Sequence, residues 1–356
     1  MFRKLHNISA VICAISTLLL PSCSSDEPEN RTAELAVTIE ARGPRAEEGT
    51  GSLHDDLTLY EGIVLIYNKD GIFEAAEKFD PAKKMATLRM TDGQKRIVAL
   101  ANPPKALRDL IATDCHEPIL DEFGNPKTYM GDTLYRNLKP VHNLYSDLVA
   151  TLSLSADYCK SVQNSRRMLL IHDKDVTIST EDGKSSYVEI PLVSPMARID
   201  LHARCLPKEK ERVADAAIRV SYISPSLNWD MTQPSVVGEI VTKFTDVSDR
   251  MTAVTTEDEL FDDNRWETTV VKETDPLATL YTYYSDVNAR LEVGLRFKGS
   301  ADYDWFPIDL KKLLDEYKGL EAGHLYQIFI TVYPDKVGHI IVDPWIVPSN
   351  LEFTIG

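Results

Sequence analysis

The feature that most constrains this chain is a recurrence of short apolar runs with a period of two, separated by turn residues. Residues 33–41 (AELAVTIEA) alternate apolar and polar side chains, the mark of a half-buried strand. Residues 57–67 (LTLYEGIVLIY) read as a second strand, and Asn68-Lys69-Asp70-Gly71 then supplies a tight turn. Ile72 and Phe73 restart the chain, which predicts a hairpin. Residues 96–101 (RIVALA) are apolar enough for a sandwich interior and stop at Pro103-Pro104. Further strands are expected at 148–154, 168–171, 176–178, 187–192, 197–203, 216–223, 277–284, 289–297, 325–333 and 339–347. Two helical pieces stand out. One is a single turn at 107–111. The other is residues 308–320, where Leu310, Leu313, Leu314 and Tyr317 share a face and Gly319 lies near the end. Residues 225–276 are polar and read as long loops. Strands without intervening helices exclude a parallel βαβ sheet and imply an all-β chain of two β-sandwiches. The seam is expected near Leu206-Pro207, ahead of the charged run KEKER at 208–212.

Composition narrows the function classes. The 356 residues carry 39 basic and 55 acidic side chains, a formal net charge of −16. Such a surface repels phosphates, so no nucleic-acid partner is expected. No GxSxG or HExxH motif occurs. Gly183-Lys184-Ser185 imitates the end of a phosphate-binding loop, but the first Gly of that motif would fall at Ile178 inside an expected strand. His172-Asp173-Lys174-Asp175 reads as a turn between the flanking MLLI and VTI runs rather than as acid–base machinery. Asp262-Asp263-Asn264 lacks the spaced ligands of a calcium loop, and His324 reads as a packing residue at a strand start. The eight histidines show no ligand spacing. The expectation is a non-enzyme with no metal and no cofactor.

The amino terminus sets the compartment. Arg3 and Lys4 precede an apolar run from Ile8 to Leu20 that is too short to span a bilayer, followed by Leu20-Pro21-Ser22-Cys23. This pattern resembles a bacterial lipoprotein signal in which Cys23 is lipidated; the plain alternative is a cleaved signal peptide with an incidental cysteine. Ser24-Ser25-Asp26-Glu27 resembles the surface-export signals of Bacteroidetes lipoproteins. Beyond Cys23 the cysteines are Cys115, Cys159 and Cys205, an odd number whose pairing the sequence leaves open. After the first strand comes an exposed stretch, Arg42-Gly43-Pro44-Arg45-Ala46, open to a trypsin-like protease. The chain closes on another alternating run in which Leu351, Phe353 and Ile355 recur at every second position.

Taken together, these segments resemble the Bacteroidales fimbrillins, the lipoprotein-derived (type V) pilin subunits. The resemblance rests on the lipobox at Cys23, the 33–41 strand, the Arg45–Ala46 bond and the strand–turn–strand at 57–73. It continues through VALANPP at 98–104, MLLIHDKDVTI at 168–178, PLVSPMARIDL at 191–201, GHLYQIFITV at 323–332 and VDPWIV at 342–347. Residues 225–276 match nothing in that pattern.

The resemblance implies two tandem β-sandwich domains of transthyretin-like type with a few short helices. It also implies donor-strand exchange. Residues 1–22 would be a signal peptide and 23–45 a lipidated propeptide carrying a removable strand with Leu35, Val37 and Ile39. Residues 46–205 would form the N-terminal sandwich, and 206–356 the C-terminal sandwich with its donor tail. An arginine-specific protease would cut after Arg45, or after Arg42, and other fimbrial subunits would supply Ile346, Leu351, Phe353 and Ile355 to the emptied groove. Before cleavage the lipid would hold the precursor at the outer membrane; afterwards the subunit would belong to a cell-surface fimbrium. Stalk, tip and lipid-retaining anchor roles stay open. So does a surface glycan-binding lipoprotein, for which Trp229, Trp266, Trp305 and Trp345 are too scattered to argue either way.

Overall fold

The computed structural model describes residues 32–41, 58–121, 123–165, 167–179, 186–224, 226–230, 232, 238–256, 276–283, 289–308, 320, 322–333 and 337–345. The first part of the chain runs through β1 (Thr32–Ala41), β2 (Gly62–Asn68), β3 (Phe73–Lys78), β4 (Met85–Thr91) and β5 (Gly93–Ala101). Helix α1 (Lys105–Ile111) leads into a side excursion of β6 (Ala112–Pro118), β7 (Thr128–Tyr129), β8 (Asp132–Thr133) and β9 (Tyr135–Pro140). Next come α2 (Tyr145–Thr151), β10 (Ser153–Leu154) and α3 (Ala156–Ser165), then β11 (Leu170–Ile178) and β12 (Ser186–Leu192). The second part contains β13 (Met196–Cys205), α4 (Pro207–Lys210), β14 (Val213–Ile223), β15 (Leu227–Asn228), β16 (Gly238–Phe244) and β17 (Thr252–Ala253). It ends with β18 (Ala278–Tyr283), β19 (Arg290–Phe297), β20 (Asp304–Ile308), β21 (Leu325–Val332) and β22 (Val337–Trp345).

The chain is all-β with a few short helices. In the first part, sheet β12-β1-β4 and sheet β11-β5-β2-β3 enclose one hydrophobic core. In the second, sheet β16-β14-β19-β20 and the sheet of β13, β17, β18, β21 and β22 enclose another. The central strands explain themselves. β2 (GIVLIYN) and β5 are buried on both faces, so their apolar runs are nearly continuous. Gly62 is fixed by packing, because a Cβ there would fall within 1.5 Å of the Phe79 ring. The expected turn forms as read: the Asn68 Oδ1 atom accepts from the Asp70 and Ile72 amides, each at 2.9 Å, and Gly71 takes a φ of 74°.

The pattern reading and the structure part company at several places. Residues 148–154 lie mostly in α2, not in a strand. Leu148 and Leu152 stand at helical spacing and are both buried, with Asp147 in the first turn favouring the helix amino end. His172–Asp175 is not a turn: β11 continues through it, paired with β5 from Leu170 to Ile178. The charges are tolerated there because Asp173 meets buried donors, described below. The loop region expected at 225–276 contains β16, a one-faced strand in which Ile240 is buried while Glu239, Val241 and Lys243 point to solvent. Its polar alternate residues hid it. Ile308 ends strand β20 instead of opening a helix, and residues 309–319 lie outside the described residues. Strand β13, expected to close the first unit ahead of the seam at Leu206, lines the second core with Ala197, Ile199, Leu201, Ala203 and Cys205, while Met196 at its start belongs to the first.

The two parts interlock. Leu227, Trp229, Tyr281 and Tyr283, all from the second part of the chain, are buried in the first core. β15 pairs with β10, and the Tyr283 hydroxyl donates to the Ser155 carbonyl at 2.8 Å.

Candidate functional site

Strand β1 occupies the middle of its sheet. One edge pairs antiparallel with β4, from Thr32↔Thr91 to Thr38↔Met85. The other pairs parallel with β12, from Leu35↔Ser186 to Ala41↔Leu192. Val37 is fully buried, opposite Ala86 on one side and Val188 on the other. Leu35 stands in register with Leu88, and Ile39 with Ile190. The groove that β1 fills therefore has an apolar floor. Ala86, Leu88 and Met90 of β4 and Ile190 and Leu192 of β12 are all buried in the first core. The Leu, Met and Ile side chains among them are worth roughly 1.5–3 kcal/mol each when taken from water. Removing β1 would uncover them and leave two unpaired strand edges, a strong template for another strand.

A polar cluster lies where β1 begins. The Lys95 ammonium donates to Glu74 Oε1 and to Thr91 Oγ1, both at 2.7 Å, and the Thr91 hydroxyl donates to Glu74 Oε1 at 2.8 Å. Thr91 is the register partner of Thr32. Lys95 is almost wholly buried, so this pairing spares an isolated buried charge.

Of the residues expected to process and donate, Cys23, Arg45, Ala46, Ile346, Leu351, Phe353 and Ile355 lie outside the described residues. Strand β22, antiparallel to β21, carries the described chain as far as Trp345. Cys115, Cys159 and Cys205 are free thiols. Burial pushes the Cys159 and Cys205 thiols up to about 12, so both stay protonated and unreactive.

The most connected polar group is Asp173. Its Oδ1 accepts from Arg96 Nε at 2.6 Å; its Oδ2 accepts from the Tyr145 hydroxyl at 2.7 Å and from the Trp229 indole N–H. Arg96 also reaches the Tyr145 oxygen at 3.0 Å and Asp175 at 3.1 Å. Burial, with Asp173 next, pushes the Tyr145 phenol up to about 12. Both carboxylate oxygens of Asp173 are engaged by the protein itself, so the group ties β11, β5, α2 and the Trp229 segment together. Period two carried a trace of it: Asp173 and Asp175 share one side of β11 beside Arg96 of the neighbouring strand. Trp229 carried none.

In the second part, β13 is buried on both faces although one face is polar. Arg198 and Asp200 form a two-point ion pair, at 2.9 and 2.8 Å, and Thr279 donates to Asp200 at 2.8 Å. His202 stacks on Phe329 with centroids 5.2 Å apart. Among the described residues no group of three or more His, Cys, Asp or Glu side chains forms a metal-binding cluster, and no helix is long and apolar enough to cross a membrane.

No protein-family profile matches the chain, and no curated protein matches it. Solved structures do. A fimbrial assembly protein from Parabacteroides distasonis is 13% identical, with a TM-score of 0.40, covering 88% of this chain and 99% of that one. A candidate cell adhesion protein from the same species is 14% identical, with a TM-score of 0.47, covering 89% of this chain and 97% of that one. A candidate cell adhesion protein from Bacteroides eggerthii is 12% identical, with a TM-score of 0.47, covering 88% and 96%. The chain is thus similar, along most of its length, to solved fimbrial and adhesion proteins of Parabacteroides and Bacteroides.

Proposed function

We propose that the chain is a structural subunit of a cell-surface fimbria of the fimbrillin type, exported as a lipoprotein through Cys23 and polymerised by donor-strand exchange. One observation carries this reading. The first described strand of the chain is the middle strand of its sheet, and residues 42–57, with Arg42 and Arg45, join it to the rest. A cut after Arg45 turns β1 into a separate peptide held only by ladder hydrogen bonds and by contacts such as those of Val37. Its departure frees an apolar groove flanked by two strand edges, and the alternating tail Leu351-Phe353-Ile355 of another subunit has the period to fill it. The names of the similar solved proteins, fimbrial assembly and cell adhesion, agree with a surface role.

The test is to sequence the amino terminus of the chain in assembled surface fibres. The expected start is Ala46, and a start at Gly43 moves the cut to Arg42 with the mechanism unchanged. Chains in fibres that still begin at lipidated Cys23 would overturn the subunit reading in favour of a lipid-retaining anchor.

A further inference from the structure

The outer face of sheet β16-β14-β19-β20 carries an array that neither core nor groove uses. Along its strands the outward positions are Lys243, Val241 and Glu239 on β16, Ala217, Arg219 and Ser221 on β14, Glu292 and Gly294 on β19, with Arg290 at its start, and Trp305 on β20. Cross-strand register sets Lys243, Ala217, Gly294 and Trp305 in one row. The two small residues make a shallow bed, and the Trp305 ring lies in it, close enough that a Cβ on Gly294 would come within 2.9 Å of the indole. The Arg219 guanidinium lies 4.0 Å from the Trp305 ring centroid and bonds Glu292 at 2.7 Å. That part is a satisfied framework.

Two cations stand beyond it. Lys243 sits 5.1 Å from the centroid of Tyr303, which in turn neighbours Trp305 at 5.8 Å. Arg290 lies 4.6 Å from the centroid of Tyr222, a half-exposed ring presented at a β-bulge. Lys243 and Arg290 are exposed, and neither has a carboxylate partner among the described residues, whereas Arg219 and Arg296 are matched by Glu292 and Asp215. On a chain of net charge −16, these are two cations without a carboxylate partner, each beside an aromatic ring, on a face whose outward carboxylates Glu239 and Glu292 accept from Ser221 and Arg219. Their spacing is fixed by the sheet: Lys243 is level with Ala217 and Arg290 with Ser221, about 13 Å apart along β14, and they sit on the strands either side of it, about 9.5 Å apart across the sheet, so their backbones are about 16 Å apart. Flat rings stack on sugar rings, and cations at that separation meet acidic groups on an extended chain of about three sugar units.

We infer that this face binds an acidic polysaccharide, with Lys243 and Arg290 pairing its anionic groups and Tyr222 and Tyr303 stacking on its sugar rings. The site is independent of the β1 groove. The test uses the chain from Ser24 to Gly356, which keeps β1 in its sheet, in affinity electrophoresis and calorimetry against heparin, polygalacturonate and neutral dextran. The expected result is binding to at least one of the two acidic polymers, weakening as salt is raised, and none to dextran. The double variant Lys243→Glu with Arg290→Glu should lose about tenfold or more in affinity. Tyr222→Ala with Tyr303→Ala, which keeps every charge, should also weaken binding, while Lys243→Arg with Arg290→Lys should retain it. All four positions are exposed or half-buried, and unchanged circular dichroism and melting would confirm that each variant is folded. Absence of binding to both acidic polymers at low salt would overturn the inference. So would undiminished binding by the charge-reversed variant, or binding that ignores both tyrosines and so reflects charge alone. Fibre assembly is not the readout, so failure here leaves the subunit reading untouched.

Discussion

Replacing Asp173 by Ala is the sharpest test of how the two parts of the chain are joined. The Asp173 side chain is 12% exposed and accepts three hydrogen bonds, from Arg96, Tyr145 and Trp229. Alanine removes all three acceptor contacts at once. Breaking one partner out of a buried ion pair costs about 3–5 kcal/mol, because the surviving charge stays desolvated. Here Arg96 keeps Asp175, which is 78% exposed, so part of that penalty is relieved. The Trp229 N–H, whose residue is only 3% exposed, then loses its acceptor, at a further cost of about 1–3 kcal/mol. The net expectation is about 3–4 kcal/mol. Urea unfolding followed by tryptophan fluorescence reads it directly, and Asp173→Asn should cost less because one acceptor oxygen survives. A double-mutant cycle with Trp229→Phe should give a coupling of about 1 kcal/mol or more between the two sites. A loss below about 1 kcal/mol for Asp173→Ala, or strict additivity with Trp229→Phe, would refute the reasoning that Asp173 clamps the Trp229 segment to the first sheet.

Two further outcomes follow from packing and burial. Gly294→Val should cost about 1–3 kcal/mol and shift the Trp305 emission, since its Cβ must displace the indole; unchanged emission and stability would show that the ring does not rest on Gly294. His172 and His202 are both held below the usual histidine range, chiefly by burial, and each has an Nε2 without a hydrogen-bond partner. A lowered folded value means that the unfolded chain binds more protons, so stability is full above about pH 6.5 and falls as the pH drops below it. His172→Gln with His202→Gln should flatten that slope in pH-dependent urea melts, and an unaltered slope would assign the acid sensitivity elsewhere.

What the sequence revealed follows the physics of each element. β1, β2, β5, β13 and β21 were legible because a sandwich core demands either strict alternation or a continuous apolar run, and both are local signals. The hairpin at Asn68–Gly71 was legible because its geometry depends on an Asn side chain and a positive φ within four residues. The β16 strand was not, since Glu239 and Lys243 are outward positions that look like loop. Nor was α2: the branched and apolar residues Leu148, Val149 and Leu152 suit a strand equally well, and only packing under the first sheet decides. The Asp173 cluster joins residues 96, 145, 173 and 229, and no short window of sequence contains them. The apolar floor of the β1 groove was visible only from the β1 side, because Leu88 and Ile190 acquire that role through register.

The mixed pairing of β1 has a consequence for direction. A strand lying between β4 and β12 is antiparallel to one and parallel to the other, whichever way it points. Backbone hydrogen bonding therefore gives an entering peptide no strong reason to choose its heading. The choice falls to side chains: Leu88, Ala86 and Ile190 flank successive positions of the groove, and the charged group of Lys95 and Glu74 lies toward one end of it. Moving a polar residue from one end of an incoming segment to the other should then reverse its heading, and with it the polarity of whatever is built by repeating the step.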